Sequence, residues 1–200
     1  AKKQRSETPS LGEHPTSNPV VTNALTHGLG LVGDLFLDPG DAVLSPDLMW
    51  ENYNLSWETR LEASFHYFPF FDAKLTGFNL AGFVAALAKH RKKKLVVSLN
   101  FPNNPSGYTP TRAEMEGIAK ALTAEAEAGT KLVVCVDDAY YGMFFDEACD
   151  KESIFGRLAK ASNNRLAVKV DGATKEEFVW GLRVGFITFG VKNGTAGVYK

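Results

Sequence analysis

Cysteine is scarce in this sequence, because Cys135 and Cys149 are the only two among its 200 residues. Cys135 lies in an apolar run, which predicts a buried, reduced thiol and favours a cytoplasmic location. An excess of charge of one sign is also missing, since the formal net charge is −1. We therefore expect no broad electrostatic surface for nucleic acid.

Long apolar runs are lacking as well, and no stretch approaches the length needed to span a bilayer. Residues 1–18 are polar and contain no apolar segment of the kind found in secretory signals, so neither a leader nor membrane binding is predicted. Apolar residues make up 44% of the chain and charged residues 22%. These are the proportions of an ordinary globular protein, and the length suffices for one sizeable domain.

Short apolar segments alternate with helical patterns over most of the chain. Strands are predicted at residues 19–21, 41–45, 64–71, 94–100, 131–138, 165–172 and 184–190. Helices are predicted at 23–37, at 50–61, from Asn79 onward, behind a capping box of Thr111 and Glu114, and at 152–162. Several strands are continuously apolar, which is typical of a sheet covered on both faces. The pattern predicts an α/β layered fold with a mostly parallel sheet.

Polar and aromatic side chains follow the carboxyl ends of these strands, where open parallel sheets bind ligands. They are Thr26, Trp50, Asn104, Asp137, Tyr140, Lys175 and Arg183. Taken singly, each one is better explained as a turn former, a cap, a packed ring or a solvated charge. Their convergence at one edge of the sheet is what predicts a binding site.

The helix that follows the first strand adds a possible anion site. Thr22 and Asn23 are good capping residues, and the N–H groups of Ala24, Leu25 and Thr26 are expected to be free in the first turn. His27, in the same turn, is interpreted as a surface or packing residue rather than a catalyst.

Four motifs, taken in order, resemble those of pyridoxal-phosphate enzymes of the aspartate aminotransferase fold type, the class I and II aminotransferases. They are DPGD at 38–41, NNPSG at 103–107, DDAY at 137–140, and TK at 174–175 followed by Arg183. The resemblance implies the large cofactor-binding domain, a three-layer α/β sandwich around a mostly parallel sheet of roughly seven strands. It also implies a transaminase, which transfers an amino group between an amino acid and a 2-oxo acid.

The resemblance implies roles around the cofactor ring. Lys175 would form the Schiff base with pyridoxal 5'-phosphate and later act as general base. Asp137 would keep the ring nitrogen protonated, so that the ring withdraws electrons. Asn104 and Tyr140 would hydrogen-bond the phenolic oxygen, and Trp50 would stack on the ring. Lys175, Asp137 and Tyr140 are the implied catalytic residues.

The implied phosphate ligands are Leu25, Thr26 and Arg183. Three residues before the lysine, where the family often has a phosphate-binding serine, this sequence has Gly172. The resemblance therefore implies that this phosphate contact is lost, or that the backbone or Thr174 replaces it. No metal site is predicted.

The resemblance covers residues 19–190, and the family's chains are much longer. We therefore expect a frayed polar segment at 1–18, the cofactor-binding domain at 19–190, and at 191–200 the start of a linker to an absent small domain. In the family, that domain carries the arginine that binds the substrate carboxylate, and the full-length protein would be a homodimer. A lyase or decarboxylase of the same fold, or an inactive or effector-sensing fragment, stays an open alternative.

Overall fold

Strands and helices alternate through residues 2–193, the part of the chain that this computed structural model describes. The strands are β1 (Val20–Asn23), β2 (Ala42–Pro46), β3 (Ser64–Phe68), β4 (Lys94–Asn100), β5 (Lys131–Asp137), β6 (Arg165–Asp171) and β7 (Val184–Gly190). The α-helices are α1 (Lys2–Glu7), α2 (Ala24–Phe36), α3 (Leu80–Ala88), α4 (Arg112–Glu127), α5 (Phe155–Leu158) and α6 (Ala173–Glu176). Shorter segments are 3₁₀ helices at Pro9–Leu11 and Trp180–Leu182 and a π-helix at Asn54–Thr59. None of the helices in the described range is long and apolar enough to cross a membrane.

The strands form one sheet in the order β1-β7-β6-β5-β4-β2-β3. Strands β2 to β6 run parallel to one another, and β7 runs antiparallel to both β6 and β1. Parallel neighbours require crossover connections, which the intervening helices supply. The predicted α/β fold with a mostly parallel, seven-stranded sheet is confirmed.

The sheet has a hydrophobic core on each face, because alternate side chains of a strand point to opposite sides. On β5, Val134 and Val136 pack into the core that also contains α4 residues such as Ile118. Cys135, between them, packs into the other core with Trp57. The central strands are buried on both sides, which explains their continuous apolar sequence.

Local capping explains where two of the helices begin. The Thr111 hydroxyl accepts a hydrogen bond from the Glu114 N–H, and the Glu114 carboxylate accepts one from the Thr111 N–H at 2.7 Å. The Asn79 side chain accepts a bond from the Gly82 N–H at 2.9 Å. These bonds satisfy N–H groups that the first turn leaves without an intrahelical partner, so both predicted starts are confirmed.

Two expectations about the periphery are wrong. The N-terminal segment is not frayed: it forms α1 and a 3₁₀ turn whose Leu11 is 1% exposed, and the Ser10 N–H donates to Glu152 at 3.1 Å.

The helix expected at 152–162 is reduced to the single turn of α5. The Arg165 guanidinium donates to the Leu158 carbonyl at 2.6 Å and so takes up an acceptor that a longer helix would use. Of the expected linker, residues 194–200 lie outside the described residues.

Candidate functional site

A cavity of about 240 Å³ opens at the carboxyl edge of the sheet, between α2, β5 and α6. Its lining includes every side chain that the sequence analysis assigned to the site: Leu25, Thr26, Trp50, Asn104, Asp137, Tyr140, Thr174, Lys175 and Arg183. Ala24, Leu29, Asn100, Ala139 and Trp180 complete the lining. The structure therefore brings together residues that are distant in the chain, from Ala24 to Arg183, although the individual roles of the predicted site residues stay predictions.

Asp137 forms the buried wall of this cavity, because it is the last residue of β5 and its side chain is 3% exposed. Its Oδ2 accepts a hydrogen bond from the Tyr53 hydroxyl at 2.5 Å, and its Oδ1 accepts one from the Ala139 N–H at 3.0 Å. Burial raises the pKa of Asp137 to about 6, and these two bonds oppose the rise. No salt bridge among the described residues reaches this carboxyl group.

Asn100 links the ends of two strands at the floor of the cavity. Its Nδ2 donates to the Asp137 carbonyl at 2.9 Å, and its Oδ1 accepts from the Asn104 N–H at 2.7 Å. These bonds hold the 103–107 turn against β5, since Asn100 and Asp137 are partners in the sheet register. The Asn104 side chain is left to face the cavity, where its amide is available to an acceptor.

Trp50 lines the cavity and packs against Tyr53, which in turn packs against Trp57. Trp50 meets Tyr53 edge to face, with ring centroids 5.8 Å apart, and Tyr53 stacks on Trp57 at 5.4 Å. Trp57 is fully buried, and its indole N–H donates to the Leu29 carbonyl at 2.9 Å. The rigid packing of Tyr53 and Trp57 positions Trp50 as a flat wall on the cavity.

Lys175 extends from the short helix α6 and is exposed to solvent inside the cavity. Its Nζ lies 5.5 Å from the centroid of the Tyr140 ring, within the range of a cation–π contact. No hydrogen bond or salt bridge of the Lys175 amine is found within the described residues. The amine is therefore accessible to a ligand from the open side.

The start of α2 and the start of β7 meet at one corner of the cavity. The Ala24 N–H donates to the Arg183 carbonyl at 2.8 Å, so Ala24 is not free to bind an anion, which corrects that part of the sequence prediction. Leu25 and Thr26 follow in the first turn, where N–H groups have no intrahelical acceptor. Ala24 and Arg183 both adopt left-handed backbone conformations, with φ of 59° and 51°. Such conformations are costly for residues other than glycine, and they concentrate at functional sites.

The cap of α2 also differs from the prediction. The Asn23 side chain makes no capping hydrogen bond. The Asn23 backbone N–H instead donates to Nδ1 of His27 at 3.0 Å. His27 is therefore part of the helix start, which agrees with its interpretation as a structural residue.

Gly172 and Thr174 together explain the departure from the family's serine pattern. A Cβ at Gly172 would lie 2.6 Å from the Val184 carbonyl oxygen and 3.0 Å from the Gly185 Cα, so no side chain fits unless the backbone moves. Two residues later, the Thr174 hydroxyl is buried and has no hydrogen-bond partner. An unpaired buried donor is costly in a folded protein, which points to an acceptor supplied by a ligand.

Three residues of the site were missed by the sequence analysis: Tyr53, Asn100 and Trp180. Asn100 was visible as the polar end of an apolar strand, the signal that did identify Asp137. Tyr53 sits in a segment predicted only as helical, and its contact with Asp137 spans 84 positions. No local pattern encodes such a contact.

Comparisons with known proteins bear on the family and the fold. The family model "Aminotransferase class I and II" matches residues 2–193. Similar solved structures include an aminotransferase from Anaerococcus prevotii (TM-score 0.77, 22% identity, 91% of this chain and 46% of that one). A second is an alanine aminotransferase from Pyrococcus furiosus (TM-score 0.73, 19% identity, 94% of this chain and 44% of that one). A third is a mitochondrial aspartate aminotransferase from Trypanosoma brucei (TM-score 0.75, 18% identity, 94% of this chain and 48% of that one).

No curated protein sequence matches the chain. The chain spans less than half the length of the three solved aminotransferases, and at these identities they show the fold alone. The family model, however, extends over nearly all of the sequence. This chain therefore belongs to the class I and II aminotransferases.

Proposed function

We propose that this chain is the pyridoxal-phosphate-binding domain of a transaminase, which transfers an amino group between an amino acid and a 2-oxo acid. The observation that carries the proposal is the carboxyl group of Asp137, which is buried on the cavity wall without a cation among the described residues. A buried carboxylate is costly unless a positive charge compensates it. The protonated ring nitrogen of pyridoxal phosphate would supply such a positive charge.

The residues at the other end of the cavity fit the phosphate group. Arg183 contributes a permanent positive charge, and the first turn of α2 contributes the N–H groups of Leu25 and Thr26. The unpaired hydroxyl of Thr174 would donate to a phosphate oxygen. It would take over the contact that a serine at position 172 cannot make in this backbone.

When bound, pyridoxal phosphate supplies an aldehyde that condenses with amines and a ring that withdraws electrons from the substrate α-carbon. Lys175 is the amine that would hold the aldehyde, and as a free neutral amine it would move the α-proton. Asp137 would stabilise positive charge on the ring nitrogen. Asn104 and Tyr140 would donate to the phenolic oxygen, and Trp50 would cover one face of the ring.

Three wider expectations accompany the proposal. The substrates would be an amino acid and a 2-oxo acid, the full-length protein would form a homodimer, and its location would be the cytoplasm. Each of these stays a prediction.

The test adds pyridoxal phosphate to the purified chain and records the visible absorbance of the bound aldehyde. Borohydride reduction followed by peptide mapping should place the adduct on Lys175, and Lys175→Ala should abolish both signals. Lys131→Ala is the matched control, because Lys131 is an exposed lysine at the opposite end of the sheet. An adduct that persists in Lys175→Ala would refute the assignment.

A second step separates the reaction classes that share this cavity. Adding an amino acid and a 2-oxo acid to the cofactor-loaded chain should exchange the amino group between them. Formation of an eliminated or decarboxylated product instead would indicate a lyase or a decarboxylase. Cofactor binding without any product would indicate a sensing or inactive domain.

A further inference from the structure

A cavity of about 530 Å³ lies at the amino ends of β2 and β4, at the opposite end of the sheet from the candidate site. Its basic groups come from three parts of the chain: His66 on the edge strand β3, Lys89 and His90 directly after α3, and Lys93 and Lys94 at the start of β4. None of the residues assigned to the cofactor lines this cavity. We call it the basic cavity.

The positive charge of the basic cavity is only partly compensated. Lys94 is paired, because its Nζ lies 2.5 Å from Oδ2 of Asp41 and 3.4 Å from Oδ2 of Asp38. Lys89 and Lys93 are exposed, and neither side chain forms an ion pair or a hydrogen bond with any residue that the structure describes. Two ammonium groups therefore line the cavity without a counter-ion, and the electrostatic potential there favours an anion.

The position of these lysines behind α3 does not by itself account for them. Cations near the C-terminus of a helix often bond its last carbonyl groups. In α3 the carbonyls of Ala86, Leu87 and Ala88 already accept the backbone N–H groups of the three residues that follow the helix. The ammonium groups of Lys89 and Lys93 are therefore not needed as caps, and they stay available to a ligand.

Two histidines meet edge to face in the wall of the basic cavity. The ring centroids of His66 and His90 lie 4.5 Å apart, and His90 is 8% exposed. Burial lowers the pKa of His90 below its usual value, and three nearby positive charges lower it further, those of His66, Lys93 and Lys89. The His90 ring is therefore uncharged at neutral pH, and an anion beside it would favour the protonated form.

The donors of the basic cavity suit a phosphate group better than a metal ion or a single carboxylate. Each ammonium group has three N–H donors, and an imidazole ring adds one or two. A phosphate group carries up to about two negative charges and three strong acceptor oxygens, so it can bind both lysines and an imidazole at once. Unpaired ammonium groups disfavour a metal ion, and residues 2–193 contain no group of three side chains that could hold one.

From these observations we propose that the basic cavity binds the phosphate group of a small molecule, held by Lys89 and Lys93 and hydrogen-bonded by the pair of His66 and His90. Inorganic phosphate and a phosphate monoester share the chemistry that this site recognises, and the volume leaves room for an organic group beside the phosphate. Binding places a proton on the histidine pair, because the anion offsets the lysine charges that oppose protonation. The site does not depend on the proposed cofactor.

The first test titrates inorganic phosphate into the chain without cofactor and follows the imidazole resonances of its four histidines. Those of His66 and His90 should shift with one midpoint, on the order of 1 mM at about pH 7. His27 lies at the start of α2, so it reports phosphate bound in the candidate site separately. Sodium chloride at equal ionic strength measures the general salt effect. Tighter binding of glycerol 3-phosphate would identify the ligand as an organic phosphate, and equal or weaker binding would identify it as the free ion.

Sulfate is the probe for the role of the histidines, because it keeps its double charge over the pH range in which histidine titrates. The charged groups around His90 are His66, Lys89, Lys93 and Lys94, with Asp41 opposing them. Affinity for sulfate should fall as the pH rises from about 5.5 to about 8, since protonated imidazole is lost. His66→Gln should flatten this dependence, and a flat profile in the original chain would contradict the proposal.

Variants then locate the site. Lys89→Gln combined with Lys93→Gln should weaken phosphate binding about tenfold, and both side chains are exposed, so the chain should still fold. The control is Lys120→Gln, because Lys120 is an exposed lysine on α4 outside the cavity. The proposal is overturned if the two histidines shift no more than in sodium chloride, if the double variant keeps the original affinity, or if Lys120→Gln loses as much.

Discussion

Replacing Asp137 with asparagine should stabilise the chain in the absence of cofactor, even though it removes the group on which the proposed chemistry depends. Burial raises the pKa of Asp137 from 3.8 to about 6 in the folded state. Between these two values the folded state binds more protons than the unfolded state. The free energy of unfolding therefore falls as the pH rises through this window, and it stays level above the folded pKa.

The size of the effect follows from the same pair of values. A pKa raised from 3.8 to about 6 corresponds to about 3 kcal/mol lost at neutral pH. An asparagine side chain does not ionise, so Asp137→Asn should recover up to that amount at about pH 7 and none of it at about pH 3. For a chain of this length, the gain corresponds to a melting temperature higher by about 6–12 °C.

Urea denaturation of both proteins at several pH values measures this difference directly. The control is Asp34→Asn, because Asp34 is a half-exposed carboxylate on α2 that pairs with Arg60, and surface pairs of this kind contribute little. The difference in the free energy of unfolding between Asp137→Asn and the original chain should grow from acidic to neutral pH. If this difference does not grow, burial of the ionised carboxyl group does not carry the inferred energetic cost.

Three other substitutions test separate parts of the structure. Tyr53→Phe removes the hydrogen bond from the hydroxyl group to Asp137 and should raise the pKa of the carboxyl group by about 1–2 units. The infrared band of the carboxyl group measures this pKa, and an unchanged value would contradict the contact. Gly172→Ser forces a side chain to 2.6 Å from the Val184 carbonyl and should cost about 1–3 kcal/mol in urea denaturation. Gly30→Ser, where a Cβ meets no atom within 4 Å, is its control, and equal stability of the two would refute the clash. Glu114→Gln weakens bonds that the carboxylate accepts from Thr111 and Phe78 and should lower the free energy of unfolding by about 1–2 kcal/mol. The control is Glu116→Gln, because Glu116 is exposed and its substitution should leave the free energy of unfolding unchanged. An equal loss of stability in this control would rule out the capping explanation.

The sheet was predictable because its central strands carry their own signal. Segments such as 94–100 and 131–138 are apolar at consecutive positions, and only a strand buried on both faces requires that. The expected helix at 152–162 failed for the opposite reason. Its end is determined by Arg165, a residue beyond the helix that captures the Leu158 carbonyl, and helical periodicity contains no information about such a contact.

The site was predictable to the extent that it is built from strand ends. Asp137 ends a strand, and Asn104 and Lys175 come shortly after the ends of two others. Parallel topology alone brings such residues to one edge. Tyr53 could not be found in this way, because it reaches Asp137 from the start of a π-helix packed over the sheet. The packing of the N-terminal segment was missed because its polar composition masks an anchoring residue, Leu11, which is buried.

The two neighbouring aspartates at the end of β5 face opposite sides of the sheet. Side chains alternate along a strand, so Asp137 faces the candidate site while Asp138 faces the other side, beside Lys169. Burial raises the pKa of both carboxyl groups, to about 6 and about 7. Lys169, on β6, lies beside Asp138 only, which leaves Asp137 to be compensated by a ligand. The two carboxyl groups also repel each other directly, so substituting either aspartate should change the pKa of the other as well as the contacts on its own side of the sheet.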